Sequence, residues 1–237
     1  MTDQSNYPIT ETNRIKRAHQ RAAYDHDTVH RILDGAALCH VAYDIDGQPF
    51  ATPTLFWREA TRLYWHGSAA SRMIKNLRQR VKACVTVTHF DGLVIARSGF
   101  HHSANYRTVM AFGTARLLDD PQEKYAAQEA MVDRLFPGRT EILREVTDQE
   151  LKATSFIYMD IDSAAAKIRS GDVADDEDDY ALPIHAEVIP IHTILGAPIN
   201  CARSHAEAHR GKDLDLYQEG ASLEDAFLKA YQQRFET

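Results

Sequence analysis

Cysteine is scarce in this chain: Cys39, Cys84 and Cys201 are the three in 237 residues. They are odd in number, far apart and without a Cys-x-x-Cys pair, so they form neither a disulfide framework nor a thiolate metal knuckle. Cys39 and Cys84 lie in apolar runs and read as small core residues. Long apolar runs are missing too. None approaches the roughly 20 residues that cross a bilayer, and the first 14 residues lack the apolar centre of a signal peptide. A cytoplasmic protein with no membrane partner is expected. Positive charge is not in excess: 27 Lys and Arg face 34 Asp and Glu, a net charge of −7. That balance speaks against non-specific nucleic-acid binding. No Gly-x-Gly-x-x-Gly follows a strand, and neither Gly-x-Ser-x-Gly nor His-Glu-x-x-His occurs. A Rossmann site, a hydrolase serine and a zinc-protease site therefore have no support.

What is present is an ordinary globular composition, 44 % hydrophobic and 26 % charged. A chain of this length buries a core without a metal or disulfide staple. Residues 14–37 are expected as one or two helices. Strands then dominate. Residues 37–43 are apolar and end at Asp44-Ile45-Asp46-Gly47, a turn with Gly where positive φ is needed. Residues 49–57 return, and Pro49 and Pro53 place that strand at an edge or a bulge. A polar turn at 58–61 leads to a short aromatic strand, 62–66. From Ser68 the period changes: Ala70, Met73, Ile74 and Leu77 share a helical stripe. Residues 82–90 alternate again, Asp91-Gly92 reads as a hairpin turn, and 93–98 as the next strand. Residues 106–118 follow, with Gly113 marking a bulge or a close backbone approach. Residues 121–136 form a helix capped by Asp119 or Asp120, and 147–153 a short helix with a Thr-x-x-Glu capping box. Residues 156–161 and 165–169 are strands, 172–179 a solvated acidic loop, 182–195 a broken apolar segment, and 222–235 a closing helix. Such an order indicates a mainly β barrel or sandwich.

Two segments could carry chemistry. In 63–77 a strand runs through Gly67 into a helix whose first-turn N–H groups favour an anion. Ser68 and Ser71 add hydroxyls, Arg72 and Lys75 share a face, and Arg72 can grip a phosphate with two N–H groups. Spacing alone favours the blander reading, a solvated amphipathic helix with an ordinary serine cap. In 96–113 polar and basic residues precede a strand. The adjacent His101 and His102 would point to opposite faces, which is poor spacing for one metal. His66 and His89 could join them only in space, and a polar loop with scattered histidines is the reading spacing favours. Lys167 and Arg169 share a strand face. The acidic run lacks the calcium-loop pattern, and no metal site is expected.

At these segments the sequence resembles the pyridoxamine 5′-phosphate oxidase-like FMN-binding split barrels, in the flavin-nucleotide-binding branch related to nitroimidazole reductases. The resemblance rests on His40-Val41-Ala42, Asp46-Gly47-Gln48-Pro49 and Pro53-Thr54; on Leu63 through Ser68 with Ser71-Arg72-Met73; on Asp91 through Ser98, His101-His102-Ser103, Asn105 through Val109 and Gly113; and on Ala166 through Gly171 with Asp178 through Pro183. It implies a six-stranded antiparallel Greek-key split barrel over 37–198, a helical lead-in over 1–36 and an extension with a terminal helix over 199–237. It also implies a homodimer with FMN in grooves between the subunits. Pro53, Thr54 and Leu55 would run along the flavin ring, with Trp65 and His66 at its edge. Ser71 and Arg72 would hold the phosphate, Thr108 beside them, with Tyr106 and Arg107 near enough in sequence to contribute. His66 is the candidate for proton delivery or substrate contact, since imidazole gives or takes a proton near neutrality; a structural role for it stays equally open.

The sequence departs from that pattern at three places. Met73 stands where the oxidases carry Lys, so Lys75 becomes the candidate substitute. The C-terminal Arg-x-His signature is absent, which argues against true pyridoxamine phosphate oxidation. His185 occupies the place of a Trp after the C-terminal Leu-Pro. The expected function is an FMN-dependent oxidoreductase with a small-molecule substrate. A non-catalytic flavin carrier or sensor, and a haem-handling split barrel with an axial histidine, are the alternatives.

Overall fold

A computed structural model describes residues 5–235. In chain order the elements are β1 (Ala22–Ala23), α1 (His26–Asp34), β2 (Leu38–Ile45), β3 (Gln48–Glu59), β4 (Arg62–Ser68), α2 (Arg72–Leu77), β5 (Val81–Ile95), β6 (Ser103–Leu117), α3 (Pro121–Asp133), α4 (Asp148–Ala153), β7 (Thr154–Asp160), β8 (Ser163–Arg169), β9 (Glu187–Pro190) and α5 (Leu223–Phe235). β6, β7, β4, β3, β2 and β5 close into a ring through the β5–β6 pairing; β8 and β1 extend it beside β6, and β9 beside β5. The meander β2–β3–β4 followed by β5 returning beside β2 is Greek-key order. The chain is thus mainly β with a six-stranded antiparallel barrel, as expected.

The period of two decides inside from outside. Cys39, Val41, Val85, Val87, Val109, Ala111, Leu63 and Trp65 point inward and are buried. Val29, Ile32 and Leu33 of α1 and Met73, Ile74 and Leu77 of α2 join the same core cluster. A second cluster, built on Trp57, Phe156, Leu118, Ala127 and Ala130, seats α3 on the outside of the barrel. Burial at these sites is the main stabilising term, at about 25 cal/mol per Å² of apolar area.

The turn at Asp46-Gly47 forms with φ of 52° and 83°, the pair of left-handed residues a two-residue hairpin wants. Gly113 is a close approach rather than a bulge. It pairs regularly with Ala83, and there β6 exchanges its neighbour from β8 to β7. A Cβ at 113 would lie 2.7 Å from Met159 Cγ and would collide with the carbonyl oxygen of Asp160. Pro49 and Pro53 fall in the half of β3 that pairs with β2 alone, so their missing donors cost no ladder bond.

Four expectations need correction. Residues 14–25 hold one short 3-10 turn, His19–Arg21, and two-residue β1 rather than a helix; α1 begins at His26, where Asp25 caps Thr28 N at 2.8 Å. The helix expected from Ser68 starts at Arg72, because Ser71 takes the cap and accepts from Ile74 N. The polar turn at 58–61 shrinks to Ala60-Thr61, since Arg58 and Glu59 still pair with β4. Asp91-Gly92 is no hairpin turn. β5 runs through it to Ile95 with a bulge between Phe90 and Gly92, and the connection to β6 lies at 96–102. A bulge needs the same residues as a tight turn, so local sequence does not separate the two.

One cluster of buried charge lies between α1 and β3. Arg58 grips Asp34 with two N–H groups, Nε to Oδ1 at 2.9 Å and Nη2 to Oδ2 at 2.5 Å, both side chains nearly enclosed. Arg134 donates to the backbone oxygens of Asp34 and Phe227, and the Arg58 guanidinium lies 4.6 Å over the Tyr231 ring. This hub ties α1, β3, α3 and α5 together. Among the described residues no helix is long and apolar enough to cross a membrane.

Candidate functional site

Outward residues of four adjacent strands make one continuous face. The strand registers place Leu55 beside Leu38, His40 between Pro53 and Thr86, and Ala42 between Ala51 and Cys84; Thr88, Thr86 and Cys84 then face Thr108, Met110 and Phe112. No Asp, Glu, Lys or Arg stands among these twelve positions. Leu38, Leu55 and Met110 are 53 %, 44 % and 45 % exposed. An uncharged face with large exposed apolar side chains marks an interaction surface.

Pro53 and Leu55 lie on this side of β3; Thr54 points to the other side, and its Oγ1 donates to the carbonyl of His66 at 3.4 Å. The two segments expected along a ring are therefore adjacent. His66 is half-buried, and its Nδ1 is buried without a hydrogen-bond partner. Burial pushes its pKa below the ordinary histidine value, so the ring is neutral near pH 7. Trp65 points the other way, fully buried in the barrel.

Beyond the end of β4, Arg72, Lys75, Asn76, Ala70 and Ile45 line a surface cavity of about 430 Å³. Arg72 sits 5.0 Å over the Phe50 ring. Among the described residues neither Arg72 nor Lys75 has a carboxylate within ion-pair distance. Asn76 Oδ1 is buried and unpartnered. A carboxamide flip exchanges its O and N, so this position can present an N–H2 group. Phe50 is five residues before Leu55 on β3, about 17 Å of strand at ~3.3 Å per residue. That is a reach over which a phosphate and a fused ring can be held together.

The β6 residues lie elsewhere. Thr108 donates to Val87 O at 2.8 Å and meets Thr88 at 3.1 Å. Tyr106 faces Phe90 and Arg169 across its strand. Arg107 is committed to two carboxylates, Asp91 at 2.7 and 2.9 Å and Glu224 at 2.5 and 2.8 Å. These bonds raise the Arg107 pKa and lower those of Asp91 and Glu224. Within one chain the structure does not bring Thr108, Tyr106 or Arg107 to Ser71 and Arg72.

Arg107 instead lines a second, larger cavity of about 980 Å³ between the α1–β2 connection, the β5 bulge, residues 191–194 and the start of α5. His40, His89 and His192 line it. His89 Nε2 bonds the Ile32 carbonyl at 2.9 Å, and its Nδ1 lies 4.0 Å from Glu224. Sequence reasoning missed this cavity. Its walls come from positions as far apart as Gly35 and Phe227, and no local pattern joins them.

His101 and His102 both bond to Ser98, through Oγ and the carbonyl respectively, at 2.8 Å. His101 also approaches Asp175 and Asp179, with ligand atoms within 4.8 Å of one another. Asp175 is already held by Arg97 Nη1 at 3.0 Å. His185 is exposed and lies 3.2 Å from Glu187.

A family model described as pyridoxamine 5′-phosphate oxidase matches residues 25–168. The chain belongs to that family. Among solved structures of relatives, the flavocytochrome Anf3 from Azotobacter vinelandii is 41 % identical, with 89 % of this chain and 98 % of that one covered and a TM-score of 0.84. The FAD and heme binding protein from Mycobacterium smegmatis is 33 % identical, with 86 % and 98 % covered and a TM-score of 0.80. A candidate 5-nitroimidazole antibiotic resistance protein from Bacteroides thetaiotaomicron, 21 % identical over 62 % and 86 % at a TM-score of 0.52, shares the fold. No curated protein matches the sequence. The pyridoxamine phosphate oxidase match ends at Ile168, before the 191–194 segment and α5. The Mycobacterium match covers 86 % of 237 residues, about 204, so it necessarily reaches beyond residue 168.

Proposed function

We propose that the chain is a flavin-dependent oxidoreductase acting as a homodimer on a small-molecule substrate. The observation that carries this reading is the pair of unpaired cations, Arg72 and Lys75, around a cavity with the unsatisfied Asn76 carboxamide. Two cations and an amide donor are what a phosphomonoester requires. The group they would hold is an FMN moiety, free or as the flavin half of FAD. A bound flavin supplies hydride and electron transfer.

The chain's own residues supply the rest. Ser71 fixes the start of α2, and Arg72 and Lys75 bind the phosphate. Pro53 to Leu55 offer a flat strand to the ring. His66, half-buried and with its pKa lowered by burial, is the candidate to pass a proton to or from a substrate at the ring edge. The uncharged face of β2, β3, β5 and β6 supports a two-fold dimer, in which one patch meets its own copy. Such an arrangement would bring the partner's β6 to the flavin edge, which explains why Thr108 is remote from Arg72 in one chain. The unpaired cysteines suit a reducing, cytoplasmic compartment.

Haem as a second prosthetic group is favoured by one further observation. The two relatives named for a cytochrome or haem are matched over 89 % and 86 % of this chain, more than the family's span of residues 25–168. Absorbance of the purified protein tests both groups: paired near-ultraviolet and blue bands for flavin, and a Soret band for haem. Chromatography of the released flavin tells FMN from FAD, and sedimentation gives the oligomeric state. A colourless protein that takes up no added flavin refutes the reading.

A further inference from the structure

We infer that the cavity walled by the α1–β2 connection, the β5 bulge and residues 191–194 seats a planar iron tetrapyrrole, with His40 and His192 as the imidazoles that bind its iron. This rests on the haem reading above and adds the place and the ligands. At about 980 Å³ the cavity is at the upper end of the roughly 300–1,000 Å³ typical of cofactor sites. Its walls combine Leu38, Phe90, Ile191, Ile194, Leu223 and Phe227, which suit a flat apolar ring, with an open side that leaves ring carboxylates hydrated.

The three histidines in the lining are not equivalent. His89 has Nε2 spent on the Ile32 carbonyl and Nδ1 facing the Glu224 carboxylate. His40 and His192 are exposed to the cavity, and neither ring has a hydrogen-bond or ion-pair partner among the described residues. Neutral imidazole nitrogens with a free lone pair are what haem iron takes. His40 stands on a rigid strand, directly opposite Pro53. Because Leu38 and His40 pair with Leu55 and Pro53, the cavity mouth adjoins the strand proposed to carry the flavin. The two groups would be neighbours across one β-ladder.

The test uses the full chain, freed of haem and titrated with ferric haem. The Soret band reports binding, and electron paramagnetic resonance reports spin state. Wild type should bind one equivalent in a six-coordinate, low-spin form. His40→Ala and His192→Ala should each weaken binding on the order of tenfold or more and produce a high-spin signal. Added imidazole should restore the low-spin signal. His185→Ala, outside the cavity, should behave as wild type. An unchanged spectrum and affinity in the double variant overturns the location while leaving the haem reading standing. An effect from one histidine alone overturns the pairing. Wild type that binds no haem overturns both, and flavin uptake measured in parallel then judges the flavin reading separately.

Discussion

Arg72→Ala is the sharpest test of the phosphate site. Arg72 is exposed and, among the described residues, has no carboxylate partner, so its removal touches the fold little. The one local loss is its position over Phe50, worth about 0.5–1 kcal/mol at an exposed site. Binding is different. A hydrogen bond to a charged group contributes about 1.5–3 kcal/mol, which is roughly 10- to 150-fold in Kd. Solvent screening at this site favours the lower end. Apoprotein is titrated with FMN while flavin fluorescence is followed, and riboflavin, which lacks the phosphate, is run alongside. FMN affinity should fall by roughly tenfold or more while riboflavin affinity stays constant. Equal loss for both ligands, or loss for neither, refutes the assignment.

Asp34→Ala leaves Arg58 buried without its partner and should cost about 3–5 kcal/mol in urea unfolding; a loss under ~1 kcal/mol would mean the hub is not stabilising. Gly113→Ala drives a methyl group into Met159 and the Asp160 carbonyl, so a loss at or above the about 1–3 kcal/mol of ordinary overpacking is expected, read as a lower Tm. Burial lowers the His30 pKa to about 3. The unfolded chain therefore holds the extra proton between about pH 6.5 and that value, and stability should fall as pH drops through this window. His30→Gln should flatten the slope there, and an unchanged slope would rule out His30 as its source. Asp91 and Glu224 act lower. Their depressed pKa values give stability that is present above the ordinary carboxylate range and lost as pH falls below about 4. Release of α5 there should appear as faster amide exchange in 191–194 and α5.

The barrel was legible because a strand's inside and outside are set by alternate residues. Cys39, Val41, Val85, Val87, Val109 and Ala111 carry that signal in their own order. Local rules also fixed the Asp46-Gly47 turn, the Asp120 cap and the Thr147–Glu150 capping box. They placed Arg72 and Lys75 on one helical face, since three residues make nearly one turn. They could not separate the Asp91-Gly92 bulge from a hairpin turn. That choice depends on β6 and β9 lying on either side of β5, which no short window contains. Nor could they show that Arg107 is spent on Asp91 and Glu224, or that Trp65 is buried in the core while His66 is half-buried. The sequence by itself determined the periodicities, the caps and the pairing of Arg72 with Lys75 on one helical face. Tertiary structure alone decided which side chains share a cavity. His40 and His192 line one cavity because residues 191–194 return beside the β5 bulge, a coincidence of distant segments without a local trace.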